Sequence, residues 1–493
     1  MTTQTEQLVS TNPANDEVVG TFAVLGEVQV RAVVARARNA APWWRDQGHA
    51  GRREALLRWK RHIARNAEDL VDLLHRENGK PRTDARLEVM LALEHIAWNA
   101  KHAGKVLQQE KRRPGLLLSN FSARLDHVPF GVVGVIGPWN YPVYTPNGSI
   151  ATALAAGNTV VFKPSEYTPA ISRWYVDAFA KANPDAPDGV LSLVTGFGDT
   201  GAALCRAGVD KLAFTGSAAT GRRVMAACAE SLVPVVMELG GKDAAIVAAD
   251  ADLPRAAEAI AFGALGNSGQ TCAGVERVYV ERSVRDEFLA ELTKQVKAVR
   301  PGSDDASSYG PMTMRSQIDI VRRHVDDALA GGGTAVVGGR ESVGDRFIEP
   351  VVILDPPHTS AAVQEETFGP TVTVTTVESL DEAVKLANDT PYGLAGAVFS
   401  KNRAEEVVAG FETSQISVNS VLGFAGVAAL PLGGVGESGF GRIHGPEGLK
   451  EFTRTRAIAT QKYAIPGMNL ITFNRSPVMV RLLPRLIRWL HAR

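Results

Sequence analysis

The run Gly131-Val132-Val133-Gly134-Val135-Ile136-Gly137-Pro138-Trp139-Asn140 opens with six residues that carry neither charge nor polar side chain. So short an apolar stretch reads as a strand buried on both faces, and Gly137-Pro138 ends it. A helix through residues 150–156 returns the chain to Thr159-Val160-Val161-Phe162, a second buried strand. Val190-Leu191-Ser192-Leu193-Val194 and Lys211-Leu212-Ala213-Phe214 repeat the scheme. Strands alternating with helices imply an α/β fold, a parallel sheet covered on both faces with ligands beyond the strands' carboxyl ends.

Outward from that core the pattern continues. A second α/β series starts near Ala244-Ala245-Ile246-Val247 and takes in Val278-Tyr279-Val280, a helix over 284–298, Thr371-Val372-Thr373-Val374, a helix over 381–388 and Ala397-Val398-Phe399. The boundary falls close to Glu238-Leu239-Gly240-Gly241, so a site there spans a cleft. Upstream, Leu56, Leu57, Ile63, Leu70, Leu73 and Leu74 follow helical spacing over 51–78. Asn66 with Asp69 reads as a new helix start, Gly79-Lys80-Pro81 as a stop, and a further helix covers about 84–107.

At 493 residues the chain is long enough for two or three domains. Its 53 Lys plus Arg balance 53 Asp plus Glu, so no global field recruits nucleic acid or an anionic surface. The polar start to Asn15 lacks the apolar core of a secretory signal, and no uncharged apolar run is long enough for a bilayer. The three cysteines, Cys205, Cys228 and Cys272, show no metal-type spacing. That favours reduced thiols in a cytoplasm, with no metal site. Cys205 and Cys228 sit in alanine-rich helical contexts and read as buried filler.

Cys272 differs. It lies in Gly266-Asn267-Ser268-Gly269-Gln270-Thr271-Cys272-Ala273-Gly274, where small residues leave a bare loop that a substrate carbon can approach. Upstream Glu238 supplies a carboxylate and Asn140 an amide. Thiol, carboxylate and amide form a set suited to attacking a carbonyl, holding the oxyanion and activating water.

Three segments point to a nucleotide. Gly196-Phe197-Gly198-Asp199-Thr200-Gly201 fits G-x-G-x-x-G, but no acid stands about twenty positions on, between residues 211 and 229, to take a ribose hydroxyl. It reads as a helix-start loop near the cofactor. Phe214-Thr215-Gly216-Ser217-Ala218-Ala219-Thr220-Gly221 ends a strand and opens a helix, offering amides and hydroxyls to phosphate; an ordinary capped helix is the alternative. Lys163 and Glu166, in Lys163-Pro164-Ser165-Glu166, can hold two ribose hydroxyls, or form a solvated turn. Glu166 would repel a 2′-phosphate, which favours NAD over NADP.

These segments resemble the aldehyde dehydrogenase superfamily, from about residue 10 to about 463. The resemblance rests on Pro138-Trp139-Asn140, Phe162-Lys163-Pro164-Ser165-Glu166, Phe214-Thr215-Gly216-Ser217, Glu238-Leu239-Gly240-Gly241-Lys242, Gly269-Gln270-Thr271-Cys272 and Glu365-Glu366-Thr367-Phe368-Gly369-Pro370, in that order. Pro391-Tyr392-Gly393-Leu394 and the run from Gly433 to Gly441-Arg442 add two more. It implies a Rossmann-type cofactor domain (1–110 and 130–239), an α/β catalytic domain (240–437) and small oligomerisation strands (111–129 and 438–470) that join a homodimer or homotetramer. By position Cys272 matches the nucleophile, Glu238 the general base and Asn140 the oxyanion donor. Ile136, Trp139, Lys163, Glu166, Gly196, Thr215, Gly216, Ser217, Leu239, Glu366 and Phe368 fall at cofactor positions. The activity implied is NAD-dependent oxidation of an aldehyde to its acid through a thiohemiacetal and a thioester on Cys272. Relatives that pass the acyl group to coenzyme A lack the Glu238 base; a catalytically idle member would have no need of all three residues. One departure stands out: where proton-relaying relatives often carry a second glutamate, this chain has Ile443.

Tyr141, Tyr144, Thr145 and Gly148 are expected to line the aldehyde tunnel. Gly148, where many relatives carry a bulky aromatic, either opens the tunnel or allows helix packing. The following Ser149 is no cation, which disfavours succinic semialdehyde and favours a larger apolar or aromatic aldehyde. In the basic tail (471–493), Arg475 to Arg493 hold five arginines and no acid. Arg481, Arg485 and Arg488 share one helical face opposite Leu482, Leu483, Ile487 and Leu490, with Pro484 as an interruption. Two readings compete for the tail: docking across a neighbouring subunit or the tunnel mouth, and peripheral contact with a membrane.

Overall fold

The computed structural model describes residues 6–115, 118–464 and 471–492. Residues 1–5, 116–117, 465–470 and 493, including parts of the expected oligomerisation segments and Arg493 of the tail, lie outside the described residues. Two compact units form, Met1–Val106 with Pro129–Phe452, and Leu107–Val128 with Thr453–Arg493.

The larger unit holds two sheets. In the first, six strands stand in the order Gly439–Phe440, Val235–Glu238, Lys211–Thr215, Val132–Ile136, Thr159–Lys163 and Leu191–Leu193. All neighbours are parallel except the antiparallel edge pair of Gly439–Phe440 with Val235–Glu238. Strand order therefore reverses at Val132–Ile136, and the gap between its carboxyl end and that of Lys211–Thr215 is the topological switch point. Every residue of Val132–Ile136 is buried. Val132 and Ile136 join Val30, Val34, Leu204 and Leu212 in one apolar cluster beneath the helices Glu27–Asp46 and Gly198–Arg206. The strand's entry is satisfied by side chains: Asp210 Oδ2 accepts from Val132 N at 2.7 Å and Asn158 Oδ1 from Gly131 N at 3.0 Å.

The second sheet runs Thr334–Val337, Val351–Leu354, Thr371–Val377, Arg277–Glu281, Ala244–Val247, Ala395–Phe399 and Gln415–Val418. It is parallel except for Thr334–Val337. Apolar clusters containing Val278 and Phe288, and Ile246 and Val398, account for the near-continuous apolar strands of the sequence.

Upstream, the helices are Gly48–Arg65, Ala67–Asn78 and Arg82–Val106. A new helix starts directly after Asn66, as expected, but the Asn66 side chain makes no cap bond to it and instead donates to His62 O at 2.8 Å, closing the helix before it. Gly79 ends Ala67–Asn78 at φ 91°, as expected for a helix stop.

In the smaller unit the strand Phe121–Pro129 lies between Glu110–Arg112 and Thr453–Gln461. A helix, Pro477–His491, follows. Pro484 does not interrupt it: one missing N–H leaves the helix intact across a stretch whose apolar and basic periodicity continues on both sides. No described helix is long and apolar enough to cross a membrane.

Candidate active site

The loop before Cys272 is not bare but pinned. Asn267 and Ser268 are held at φ 53° and 61°, a left-handed pair that only strong local bonding sustains in non-glycine residues. Ser268 Oγ donates to Gly310 O at 2.7 Å, and Thr313 N donates to Gln270 Oε1 at 2.9 Å. Gly269 continues the left-handed run at φ 69°, and a Cβ there would sit 2.1 Å from Gly369 O, so no other residue fits. The thiol is thus placed by a rigid turn.

The same turn is tied to the amide. Asn140 Nδ2 donates to Gln270 O at 3.0 Å, Asn267 Nδ2 donates to Asn140 O at 3.0 Å, and Tyr141 Oη lies 3.0 Å from Thr271 Oγ1. Beneath this junction lies a wholly buried ion pair, Lys80 with Glu88. Lys80 Nζ donates to Asn140 O at 2.9 Å and stands 4.1 Å from the Tyr141 ring centroid. Glu88 Oε1 accepts from Val143 N at 2.8 Å and Tyr144 N at 3.1 Å, the free amides that open the helix Tyr144–Ala156. In sequence Lys80 reads only as part of a helix stop; nothing in its neighbours announces a buried cation.

Glu238 ends its strand at the carboxyl edge. Both carboxyl oxygens are buried without a hydrogen-bond partner, and burial raises the group well above the usual carboxylate range, against the pull of Arg442. Glu238 and Cys272 line one cavity of about 300 Å³. Cys272 is partly exposed there, and burial, with Glu366, Asp243 and Glu238 nearby, pushes its thiol up to about 12. Cys272 is therefore protonated at neutral pH in this state, and burial biases Glu238 towards its neutral form. Tyr141, Tyr144 and Thr145 line the same cavity, as expected; Asn140 does not, and meets it through Gln270 and the loop of Cys272. The rest of the wall is largely apolar, with Leu87, Leu91, Phe262, Leu422, Phe424 and Ile443 among others; Asp84, Glu88, Asn267, Gln415 and His444 are among its polar members, and no lysine or arginine lines it.

Gly148 corrects the expected tunnel. It does not line the cavity; a Cβ there would lie 2.5 Å from His444 Nε2 and 2.9 Å from Ile443 Cδ1. The space is taken by His444, whose ring lies tilted against that of His95 at 4.0 Å between centroids and which is kept neutral by burial. Ile443 and His444 are the actual wall. Gly148→Ala, ordinarily favourable in a helix, is expected to destabilise by ~1–3 kcal/mol through overpacking, read as a lower urea midpoint at unchanged slope.

The expected cofactor residues gather along the carboxyl edge of the first sheet. Ile136, Lys163 and Thr215 each end a parallel strand. Lys163 Nζ donates to Pro164 O at 3.0 Å and stands 4.0 Å from Glu166. Gly196, at φ 148°, precedes the helix Gly198–Arg206, whose first amides have no side-chain cap. Ser217 instead caps its own helix, accepting from Thr220 N at 3.3 Å, so its hydroxyl is occupied while Gly216 precedes open amides. Leu239 lines the cavity and Gly221 packs under its side chain. Trp139 meets Phe368 edge-on at 5.6 Å. Glu366 is half-buried, and desolvation holds its carboxyl up at about 8 while it accepts from Gly241 N at 3.0 Å. The buried pair Lys242–Glu276 fixes this segment, Glu276 accepting from the backbone of Thr367 and Phe368.

A mainly parallel sheet with a topological switch point, beside a cavity holding a thiol and a partnerless carboxyl, is the arrangement of a nucleotide-dependent enzyme with a cysteine nucleophile. The description "Aldehyde dehydrogenase family" matches residues 1–458, and the chain belongs to that family. It is 38% identical over 467 residues (93% of this chain, 87% of the relative) to a 4,4'-diapolycopene aldehyde oxidase of Methylomonas sp.. It is 37% identical over 440 residues (88% and 84%) to a protein provisionally named succinate-semialdehyde dehydrogenase, NADP+-dependent, of Mycolicibacterium smegmatis. The crystal structure of an NAD-dependent aldehyde dehydrogenase from Sinorhizobium meliloti superposes with a TM-score of 0.89 at 30% identity, covering 95% of this chain and 93% of that one.

Proposed function

We propose that the protein oxidises a long-chain or aromatic, apolar aldehyde to the free carboxylic acid, with NAD+ as the preferred dinucleotide. One observation carries the reading: Cys272 and Glu238 line a single cavity whose wall is largely apolar and holds no lysine or arginine. A semialdehyde carboxylate entering it would find no lysine or arginine on the wall to pair with.

The chain's residues divide the work. Cys272 Sγ, once deprotonated, adds to the carbonyl carbon. The oxyanion takes hydrogen bonds from the Cys272 N–H and the second N–H of Asn140 Nδ2, whose first is spent on Gln270 O. A bound nicotinamide supplies the acceptor for the hydride that leaves this carbon. Glu238, ionised, then takes a proton from water, and the resulting hydroxide attacks the thioester carbon to free the acid and restore Cys272.

The carboxyl edge of the first sheet fits a dinucleotide: the strand order reverses there, and two helices begin at that edge, the first of them, Gly198–Arg206, with no side-chain cap on its amides. Lys163 and Glu166 would hold the adenosine ribose, Gly196 and Thr215 to Ser217 the phosphates, and Ile136, Trp139, Leu239, Glu366 and Phe368 the nicotinamide half. Glu166 disfavours a 2′-phosphate. Residues 1–110 with 130–239 are then the cofactor domain, 240–437 the catalytic domain, and 111–129 with the part of 438–470 from Thr453 onward the bridge between subunits, since Gly439–Phe440 pairs within the first sheet. The exposed edge strand Thr453–Gln461 suits pairing in a homodimer or homotetramer.

An aldehyde series assayed with both dinucleotides tests this. kcat/KM is expected to rise about fourfold per added methylene until the cavity is filled. Succinic semialdehyde should lag the apolar aldehyde of equal length by about tenfold or more, and NADP+ should lag NAD+. Product should be the acid, indifferent to coenzyme A. A semialdehyde preferred over its apolar counterpart, or acyl-CoA as product, would overturn the reading.

A further inference from the structure

We propose that the C-terminal helix, Pro477–His491, binds the surface of an anionic phospholipid bilayer. This stands apart from the assignment of the aldehyde chemistry. With 3.6 residues per turn, Arg481, Arg485 and Arg488 fall within an arc of about 60°, and Met479, Leu482, Leu483, Leu486, Trp489 and Leu490 occupy the opposite side. No residue of the helix is buried, and Val478 at 64%, Ile487 at 55% and Trp489 at 60% are among the exposed apolar side chains of the chain. Arg481, Arg485 and Arg488 make no ion pair with a described residue, and residues 475–493 contain no acid.

Charge decides the occupant. The whole chain is neutral, yet five arginines are concentrated in its last nineteen residues. A two-fold contact between copies of this helix through its apolar side would leave the arginines facing outward with no counter-charge. A negative lipid surface meets the basic arc and leaves the apolar arc, with Trp489 at its border, to sink to the headgroup boundary. The helix has 15 residues, about 22 Å at 1.5 Å each, so it suits lying in the interface and is too short to span.

The test is co-sedimentation of the full-length protein with vesicles of equal parts phosphatidylglycerol and phosphatidylcholine, and with phosphatidylcholine alone. Binding is expected to the first and not the second, to weaken with salt, and to vanish on deletion of 475–493. The triple substitution Arg481→Gln, Arg485→Gln, Arg488→Gln should lower the partition coefficient about a hundredfold, near fivefold per arginine. That variant should turn over a short soluble aldehyde at the wild-type rate, which shows that the fold is intact. No binding of the full-length chain to the anionic vesicles, equal binding to both kinds, or binding that survives the deletion would each overturn the proposal. So would a deletion that changes only the oligomeric state in sedimentation velocity, which assigns the helix to a second copy.

Discussion

Cys272→Ala abolishes aldehyde-dependent reduction of the dinucleotide, with a loss of at least ~10⁴ in kcat, the scale on which a removed nucleophile is felt. The fold should survive, because the residues that shape the turn are Asn267, Ser268, Gly269 and Gln270, and none of their bonds uses the sulfur. Glu238→Gln is expected to separate the two half-reactions. Thioester formation persists as a single-turnover burst of reduced dinucleotide, while steady turnover falls ~10²–10⁴-fold for want of the water-activating base. Equal steady rates in wild type and either variant would end the mechanism.

The pH dependence of the same thiol follows from its surroundings. Burial, then the Glu366, Asp243 and Glu238 carboxyls, push Cys272 up to about 12, so the protonated form prevails below that. A raised thiol value means that reactivity grows with pH throughout the usable range. Alkylation of the dinucleotide-free protein by iodoacetamide should therefore accelerate about tenfold per pH unit from 7 to 9, without the levelling near 8.5 of an exposed thiol. A plateau at or below neutrality would show a thiolate already formed.

What could be read in advance divides by the range of the interaction. Val132–Ile136 and its parallel neighbours were legible because a strand buried on both faces has no polar positions to lose. Cys272 was legible as chemistry, but its loop was misjudged. Small residues suggested slackness, whereas Gly269 is small because Gly369 O leaves no room. Gly148 failed for a related reason. A missing side chain looks like free volume until the partner across the gap is known, and His444, almost three hundred residues on, fills it. Asn66 has the chemistry of a helix cap in either direction, and only the fold shows that it serves the helix behind it. Lys80 and Glu88 stand eight positions apart with nothing to distinguish them from surface charges, until the fold buries both against the Asn140 loop.

That buried pair supports the second large effect. Lys80→Met leaves Glu88 charged and unpaired in a dry site, at a cost of ~3–5 kcal/mol in unfolding free energy. The loss reaches the chemistry through a specific bond. Lys80 Nζ holds Asn140 O, and the peptide of Asn140 sets the direction of its side-chain amide. A shift there removes a donor from the oxyanion, so in protein kept folded at low temperature kcat should fall ~10²–10³-fold. KM for the aldehyde should change little, because Lys80 does not line the cavity. Lys80→Arg keeps the charge but not the compact ammonium that fits between Glu88, Asn140 O and the Tyr141 ring, and should recover stability more than rate. Adding Glu88→Leu to Lys80→Met relieves the stranded charge while orphaning the amides of Val143 and Tyr144. Stability should then return in part, with kcat still low. If kcat recovers in step with stability, Lys80 serves the fold alone and has no positioning role at Asn140.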